Sequence, residues 1–371
     1  MDEVSASKQY QHGKNLFFLI NLILDVLFLI FVFFSGLSFY WRDAALKVFP
    51  QLLATNSIYI FFFSVCLYVW HFPLTIFAGY TWEHKFGLSN QNLKEWLRDD
   101  VKKGLIGFVI MLMMVNAVYL FLSFWPRFWW IAAGIFYILL SGVLARLMPN
   151  IIIPLFYKYA PIANEELKNS IKKLFEACRL PLRDVCSINL SSKTKKANAF
   201  VCGIGQNRRV VLSDTLLNHF SVGEIETVVA HELAHYKNRD IIKLIILNAF
   251  VVFCGLLAVD RFLRYAFHHY FAGRVEDIAY FPIVALAMMI FLFLATPLMN
   301  AYSRTLERQV DEFSLRITKK QNHFVSMMQK LGALNLAEVD PSKWVELFLY
   351  DHPSIKRRIE FAQQFKADEE K

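Results

Sequence analysis

Along its 371 residues, this chain alternates long apolar stretches with polar blocks. Six apolar stretches, 16–34, 52–80, 104–124, 128–148, 241–259 and 278–302, are long enough to cross a bilayer, which takes about 20 residues of helix. The second contains Pro73 and is longer than a span needs, so a kink or a tilt is expected there. Polar groups are costly in lipid, so Asn21, Asp25, Asn116 and Arg146 should face protein or water. The first run, from Leu16, is about 19 residues long and lacks a small-residue cleavage site, so it reads as an uncleaved span.

The polar blocks divide the chain further. Residues 1–148 form N-terminal transmembrane helices with a polar loop at 81–103, 149–240 a soluble insertion, 241–302 two further spans, and 303–371 a polar C-terminal part. Within the insertion, Glu165 to Ala177 has a helical pattern. Ala197 to Cys202 and Arg208 to Ser213 read as strands joined by a Gly-Ile-Gly-Gln-Asn turn. Ser221-Val222-Gly223-Glu224 is a capping box and should start a new helix.

Composition supports the membrane reading: 56% of residues are hydrophobic, 36 are Phe, and only 19% are charged. The net charge of +9 does not indicate nucleic-acid binding, because no recognition module accompanies it and the basic residues flank the spans. Loop 81–103 holds five of them (Lys85, Lys94, Arg98, Lys102, Lys103), against two in 35–51 and one in 125–127. The positive-inside rule then expects loop 81–103, both termini and the insertion in the cytosol. The 260–277 loop, with Arg261, Arg264 and Arg274, falls outside as a mild exception. Five cysteines show no paired metal spacing; Cys178 and Cys186 could bridge, but a reduced cytosolic domain is the plainer reading.

The chemistry sits on the capped helix. His231-Glu232-Leu233-Ala234-His235 matches H-E-x-x-H. Residues four apart share a helical face, so both imidazoles can reach one ion, and Glu232 beside them can accept a proton from the attacking water. A catalytic zinc site uses three protein ligands and keeps one position open. A surface helix with two histidines is the plainer alternative, but Val228, Val229, Ala230, Leu233 and Ala234 surround the motif and imply burial. Glu307 and Asp311, four apart on the continuation of the last span, can supply one ligand and one supporting group, or be a solvated helix end paired with Arg304 and Arg308. His268 and His269 are rivals placed across the membrane by the expected topology, and His352 is another.

His231-Glu232-x-x-His235, Glu307-x-x-x-Asp311 and His352-Pro353 together resemble the CAAX prenyl protease type 1 family of membrane zinc metalloproteases. Further matches are Glu83-His84-Lys85-Phe86-Gly87-Leu88-Ser89, Pro154-Leu155-Phe156, Tyr159-Ala160-Pro161 and Asn198-Ala199-Phe200, so the likeness runs from about residue 50 to 360. The resemblance implies spans enclosing an intramembrane chamber, and Zn2+, one per chain, held by His231, His235 and Glu307. It further implies that Glu232 is the catalytic base, that Asp311 orients a zinc histidine and that His352 stabilises the oxyanion, with Arg358 nearby in the same motif. Asn198, Ala199 and Phe200 would be an edge strand that pairs with substrate, and Arg358 is grouped with them on the substrate side. The family typically has seven spans where six are counted here. Val310 and Ser314 stand where it favours Ala, and Ser354 follows His352-Pro353.

The expectation is therefore a polytopic α-helical membrane protein of about six spans enclosing a chamber, with a small α+β, gluzincin-like zinc-metalloprotease insertion. Its activity would be peptide hydrolysis at the cytosolic side, of the CAAX type, on a peptide or prenylated protein. It would lie in the endoplasmic reticulum of a eukaryote or the inner or plasma membrane of a bacterium. A quality-control protease of the heat-shock type uses the same zinc motif with fewer spans. A transporter or membrane scaffold would fit six spans but leaves the capped motif and Glu307 unexplained. Oligomeric state does not follow from the sequence.

Overall fold

The computed structural model describes residues 3–203, 205–271 and 273–366. Ile204 of the expected turn and residues 367–371 of the C-terminal block lie outside the described residues. The N-terminal apolar runs form α1 (Glu3–Phe34), α2 (Leu37–Val48), α3 (Leu52–Ile76), α4 (Trp82–Lys85), α5 (Leu93–Phe124) and α6 (Trp129–Leu147). A π-helical turn, Phe77–Thr81, joins α3 to α4. It follows Pro73, whose missing N–H removes one bond from the helical ladder, so the expected irregularity takes the form of a widened turn.

The insertion holds β1 (Tyr159–Pro161), α7 (Glu165–Ala177), β2 (Asp184–Ile188), β3 (Ala199–Cys202), β4 (Arg209–Ser213), α8 (Asp214–His219) and α9 (Val222–Lys237). α10 (Asp240–His269) and α11 (Phe281–Thr318) follow, then α12 (Gln321–Leu334), α13 (Lys343–Leu349) and α14 (Ile355–Gln364). The sheet order is β1-β2-β4-β3. The expected hairpin is present as antiparallel β3 and β4, with Phe200 opposite Val211. β2 lies parallel to β4 on the other side, and β1 antiparallel to β2; the hydrophobic pattern had not announced either strand. β3 is therefore a sheet edge.

Among the described residues, six helical stretches are long and apolar enough to cross a membrane: Ser5–Phe34, Leu52–Lys85, Leu93–Phe124, Trp129–Leu155, Asp240–His269 and Ile278–Thr318. They coincide with the six apolar runs. Two large apolar cores result among the described residues, with a smaller one on the outer face of the sheet. One fills the helical bundle with Phe28, Tyr59, Phe63, Tyr119 and Trp129. The other lies between sheet and helices, where Leu167, Ile171 and Phe175 recur at helical spacing on α7 and meet Val210, Leu212, Val229 and Leu233. α11 joins the two, since Phe281 packs on the first and Leu315 belongs to the second. α5, α6, α10 and α11 frame an apolar cavity of about 510 Å³, lined by residues that include Met114, Val118, Trp129, Leu256 and Met288.

Candidate metal centre

The helix that carries the motif begins where its capping box expects. Ser221 N–H donates to Glu224 Oε2 (2.7 Å), and Glu224 N–H donates to Ser221 Oγ (3.4 Å). One face of α9 then sinks into the core, with Val229, Ala230, Leu233 and Ala234 at 0% exposure. His231 is buried and His235 half-buried on an adjoining face, their ring centroids 5.0 Å apart. Glu307 reaches them from α11. The ligand atoms of His231, His235 and Glu307 all lie within 4.8 Å of one another, an arrangement able to hold one ion.

Both Nε2 atoms point at Glu307, at 3.4 Å from His231 to Oε2 and 3.2 Å from His235 to Oε1. Both Nδ1 atoms are engaged elsewhere. His231 Nδ1 lies 3.0 Å from Asp311 Oδ1, and His235 Nδ1 lies 3.1 Å from Asp240 Oδ2. An imidazole whose Nδ1–H is held by a carboxylate presents a lone pair at Nε2, which is the state a metal requires. Glu307 Oε2 is buried and makes no hydrogen bond among the described residues. A buried carboxylate oxygen without a donor is costly, and a cation between the two Nε2 atoms would satisfy it. The residues fit zinc, whose catalytic sites use three N and O ligands of this kind.

The surroundings explain how this geometry is held. Arg358, from α14, donates through Nε to Asp311 Oδ2 (2.8 Å) and through Nη2 to Asp311 Oδ1 (2.6 Å). Its guanidinium thus lies behind His231, engaged with Asp311. Lys243 donates to Asp240 Oδ1 (2.8 Å). Ser314, at a position where the resembled family favours Ala, donates to the carbonyl of Thr227 (2.8 Å) and ties α11 to α9 beside a fully buried Val310. Ser354 Oγ caps α14 by accepting from Arg357 N–H (3.4 Å), so the helix that carries Arg358 starts directly after His352-Pro353.

Burial pushes the Glu232 carboxyl above the usual carboxylate range. Burial lowers the pKa of His231, but hydrogen bonds to Asp311 and Glu307 outweigh it and push it up to about 9. His352 is half exposed, with Nε2 3.3 Å from Glu307 Oε1 and Nδ1 2.7 Å from Asp351 Oδ1. Desolvation lowers its pKa, but the Asp351 hydrogen bond and the Glu307 charge outweigh it, for a net rise. Asn198 is exposed at the start of β3; its Oδ1 accepts from Ala199 N–H (2.9 Å). Ala199 packs on the α9 side of the sheet, and Phe200 packs on the opposite face with Val211 and Tyr159. His268 and His269 end α10, whose first residue, Asp240, touches His235. A helix of that length puts them about 42 Å away, outside any shared site. No motif marks Asp240, because it reaches His235 only through the chain reversal at Arg239, which has φ 56°. Its only signal was an acidic residue opening an apolar span.

Residues 161–366 match peptidase family M48. The chain belongs to peptidase family M48. Residues 1–158 match the family described as CAAX prenyl protease N-terminal, five membrane helices. The chain is 31% identical over 372 residues to the uncharacterized metalloprotease YhfN of Bacillus subtilis, an alignment covering 98% of this chain and 86% of that one. It is 28% identical to CAAX prenyl protease 1 of Saccharomyces cerevisiae, over 77% of this chain and 67% of the relative. Among solved structures, the S. mikatae Ste24p crystal structure shares the fold, with a TM-score of 0.83, 22% identity, and coverage of 97% of this chain and 89% of that one. This M48 member is thus a multi-pass membrane metallopeptidase.

Proposed function

We propose that the protein is a zinc-dependent endopeptidase that cleaves near the C-terminus of prenylated proteins or peptides at the cytosolic face of the membrane. The observation that carries this reading is the His231–His235–Glu307 cluster, set at the ends of membrane helices. The matched N-terminal family, whose description names the CAAX prenyl proteases, supports the substrate class. His231, His235 and Glu307 would hold the ion. Zinc bound there supplies Lewis acidity, which lowers the pKa of water and polarises a carbonyl. Glu232 takes a proton from the attacking water and passes it to the departing amine nitrogen. Burial raises its pKa, the direction that helps a carboxylate both accept and return a proton. His352, half exposed with Nε2 3.3 Å from Glu307 Oε1, donates to the oxyanion as it develops. Asp311 and Asp240 keep the two imidazoles in the tautomer that frees Nε2. The exposed edge of β3 pairs with the substrate backbone as an added strand.

The test is a cleavage assay on paired peptides ending in Cys-a-a-X, one farnesylated and one not, with wild type and Glu232→Gln. Wild type should hydrolyse the farnesylated peptide with the higher kcat/KM. Glu232→Gln should hydrolyse neither while retaining about one zinc per chain. An active Glu232→Gln enzyme would falsify the base assignment. Equal rates on both peptides, with unfolded membrane proteins cut faster than either, would favour the quality-control role.

A further inference from the structure

The segment Glu83-His84-Lys85-Phe86-Gly87-Leu88-Ser89 lies outside the metal centre, yet it packs against the residues that lead into the edge strand. Lys193-Thr194-Lys195-Lys196 immediately precedes Ala197 and β3. Thr194 is bridged to Ser89 in antiparallel fashion. Lys195 N–H donates to Leu88 C=O (2.9 Å), and Asn90 N–H donates to Lys193 C=O (2.9 Å). Gly87, at φ 68°, allows the chain to turn out of α4 and run alongside this segment.

Two lysines fasten the ends of this contact to carboxylates on the membrane-helix side. Lys196 Nζ lies 3.0 Å from Glu83 Oε2 and donates to Tyr10 Oη (2.8 Å), which itself donates to Glu83 Oε1 (2.5 Å). Tyr10, on α1, is 2% exposed, whereas the Glu83 and Lys196 side chains are 14% and 32% exposed, and Lys14 Nζ also lies 3.6 Å from Glu83 Oε1. Lys193 Nζ pairs with the buried Asp99 of α5, which also accepts from Gln91 Nε2 (2.8 Å). The Lys193 ammonium also stands 4.7 Å from the Tyr157 ring centroid. On the other side of the lead-in, Thr215 Oγ1 donates to Lys196 C=O (2.7 Å) and Ala197 N–H donates to Asn335 Oδ1 (3.0 Å). The four residues before the edge strand are thereby held from both flanks.

We propose that Glu83 and Lys196, with Asp99 and Lys193, are positioning residues that fix the height and register of β3 against α9, and thereby align a bound peptide backbone with the metal centre. None of them touches the reacting atoms. Removing one partner of a partly buried ion pair leaves the other partly uncompensated, most of all at the buried Asp99. Lys196 without Glu83 would therefore seek water and draw the start of β3 with it. The inference rests on the reading of β3 as the substrate-pairing strand, so the experiment separates the two.

KM, kcat and zinc content are measured for wild type, Glu83→Gln, Lys196→Met, the double variant and the conservative Lys196→Arg. Each is assayed on one peptide substrate and on the same peptide with backbone N-methyl groups, which remove strand hydrogen bonds. The expected result is a KM raised about tenfold or more in either single variant, because a displaced strand edge forms fewer backbone hydrogen bonds with the peptide. Zinc and kcat should stay close to wild type, the double variant should be no worse than the singles, and Lys196→Arg should recover most of the KM. The penalty for N-methylation should be large in wild type and shrink in the variants. Unchanged KM in Glu83→Gln and Lys196→Met, with wild type still penalised by N-methylation, overturns the positioning role and leaves the strand reading intact. A wild type indifferent to N-methylation overturns the strand reading and this inference with it. Loss of zinc in the single variants while Lys196→Arg also fails marks a purely structural role and overturns the proposal.

Discussion

At the scale of single residues, two carboxylates hold two imidazoles, and they are anchored differently. Asp311 is clamped by two bonds from Arg358, whereas Asp240 has one bond from Lys243. Glu307 stands apart because both of its oxygens face the Nε2 atoms. Glu307→Ala should therefore strip zinc and activity, while Asp311→Asn and Asp240→Asn should keep a weakened site, with affinity lowered about 10–100-fold. Zinc content by mass spectrometry, followed by competition with a graded chelator, distinguishes the two classes. Full metal in Glu307→Ala together with loss in His352→Ala would make His352 the third ligand. The sequence made the two histidines legible because a helical repeat brings residues four apart to one face without reference to the rest of the fold. Asp311 was legible for the same reason relative to Glu307. Asp240 was not, since its approach depends on a left-handed residue at Arg239 that no periodicity encodes. Arg358 was found through its motif, but only tertiary packing reveals that it faces Asp311.

At the scale of elements, α9 is the piece on which the site depends, and its start can be tested separately from its chemistry. Glu224 closes the capping box and also reaches α12, where it accepts from Ser326 Oγ (2.6 Å) and from Lys330 Nζ (2.8 Å). Burial alone would raise its pKa, but these bonds and the Ser221 N–H outweigh it and lower it from 4.5 to about 2. A carboxyl whose folded pKa is depressed contributes stability that is fully present above its unfolded value and lost as pH falls through its folded one. The melting temperature of wild type should therefore exceed that of Glu224→Gln at pH 6, and the gap should narrow between about pH 4.5 and pH 2. Thermal unfolding of both proteins in detergent, each stripped of metal to remove histidine–zinc effects, measures that gap. A gap constant down to pH 2 would place the contribution elsewhere. Ser221→Ala should cost about 1 kcal/mol through the lost cap. The cap and the β3–β4 hairpin were legible from local chemistry. β1 and β2 were not: β1 spans Tyr159–Pro161 and ends in proline, and β2 gains its place only by parallel pairing with β4, a long-range contact.

At the scale of the molecule, α10 and α11 tie the metal centre to one end of the helical bundle. Asp240 opens α10 beside His235, and Glu307 lies past the apolar part of α11, so both helices meet the site at the same end. Loop 81–103 meets that end as well, through Ser89 with Thr194 and Asn90 with Ser191. α2 has 12 residues, about 18 Å of helix, too short to cross a bilayer. Six crossings therefore return the chain to the side on which it starts. This fold relates the loop, the site and both ends to one another; the excess of Lys and Arg in the loop leads us to propose that this side is the cytosolic one. Reporters fused at either terminus and within 81–103 should all read cytosolic, and one inserted beside His268 should read external. If the termini report opposite sides, an odd number of spans is present and the six-span reading is wrong. If all three cytosolic positions read external and His268 reads cytosolic, the fold stands, and the charge argument is wrong because the basic residues of 260–277 outweigh those of 81–103. A protease-protection assay on sealed vesicles, with cleavage sites engineered into the same four places, gives the same discrimination without a fused domain.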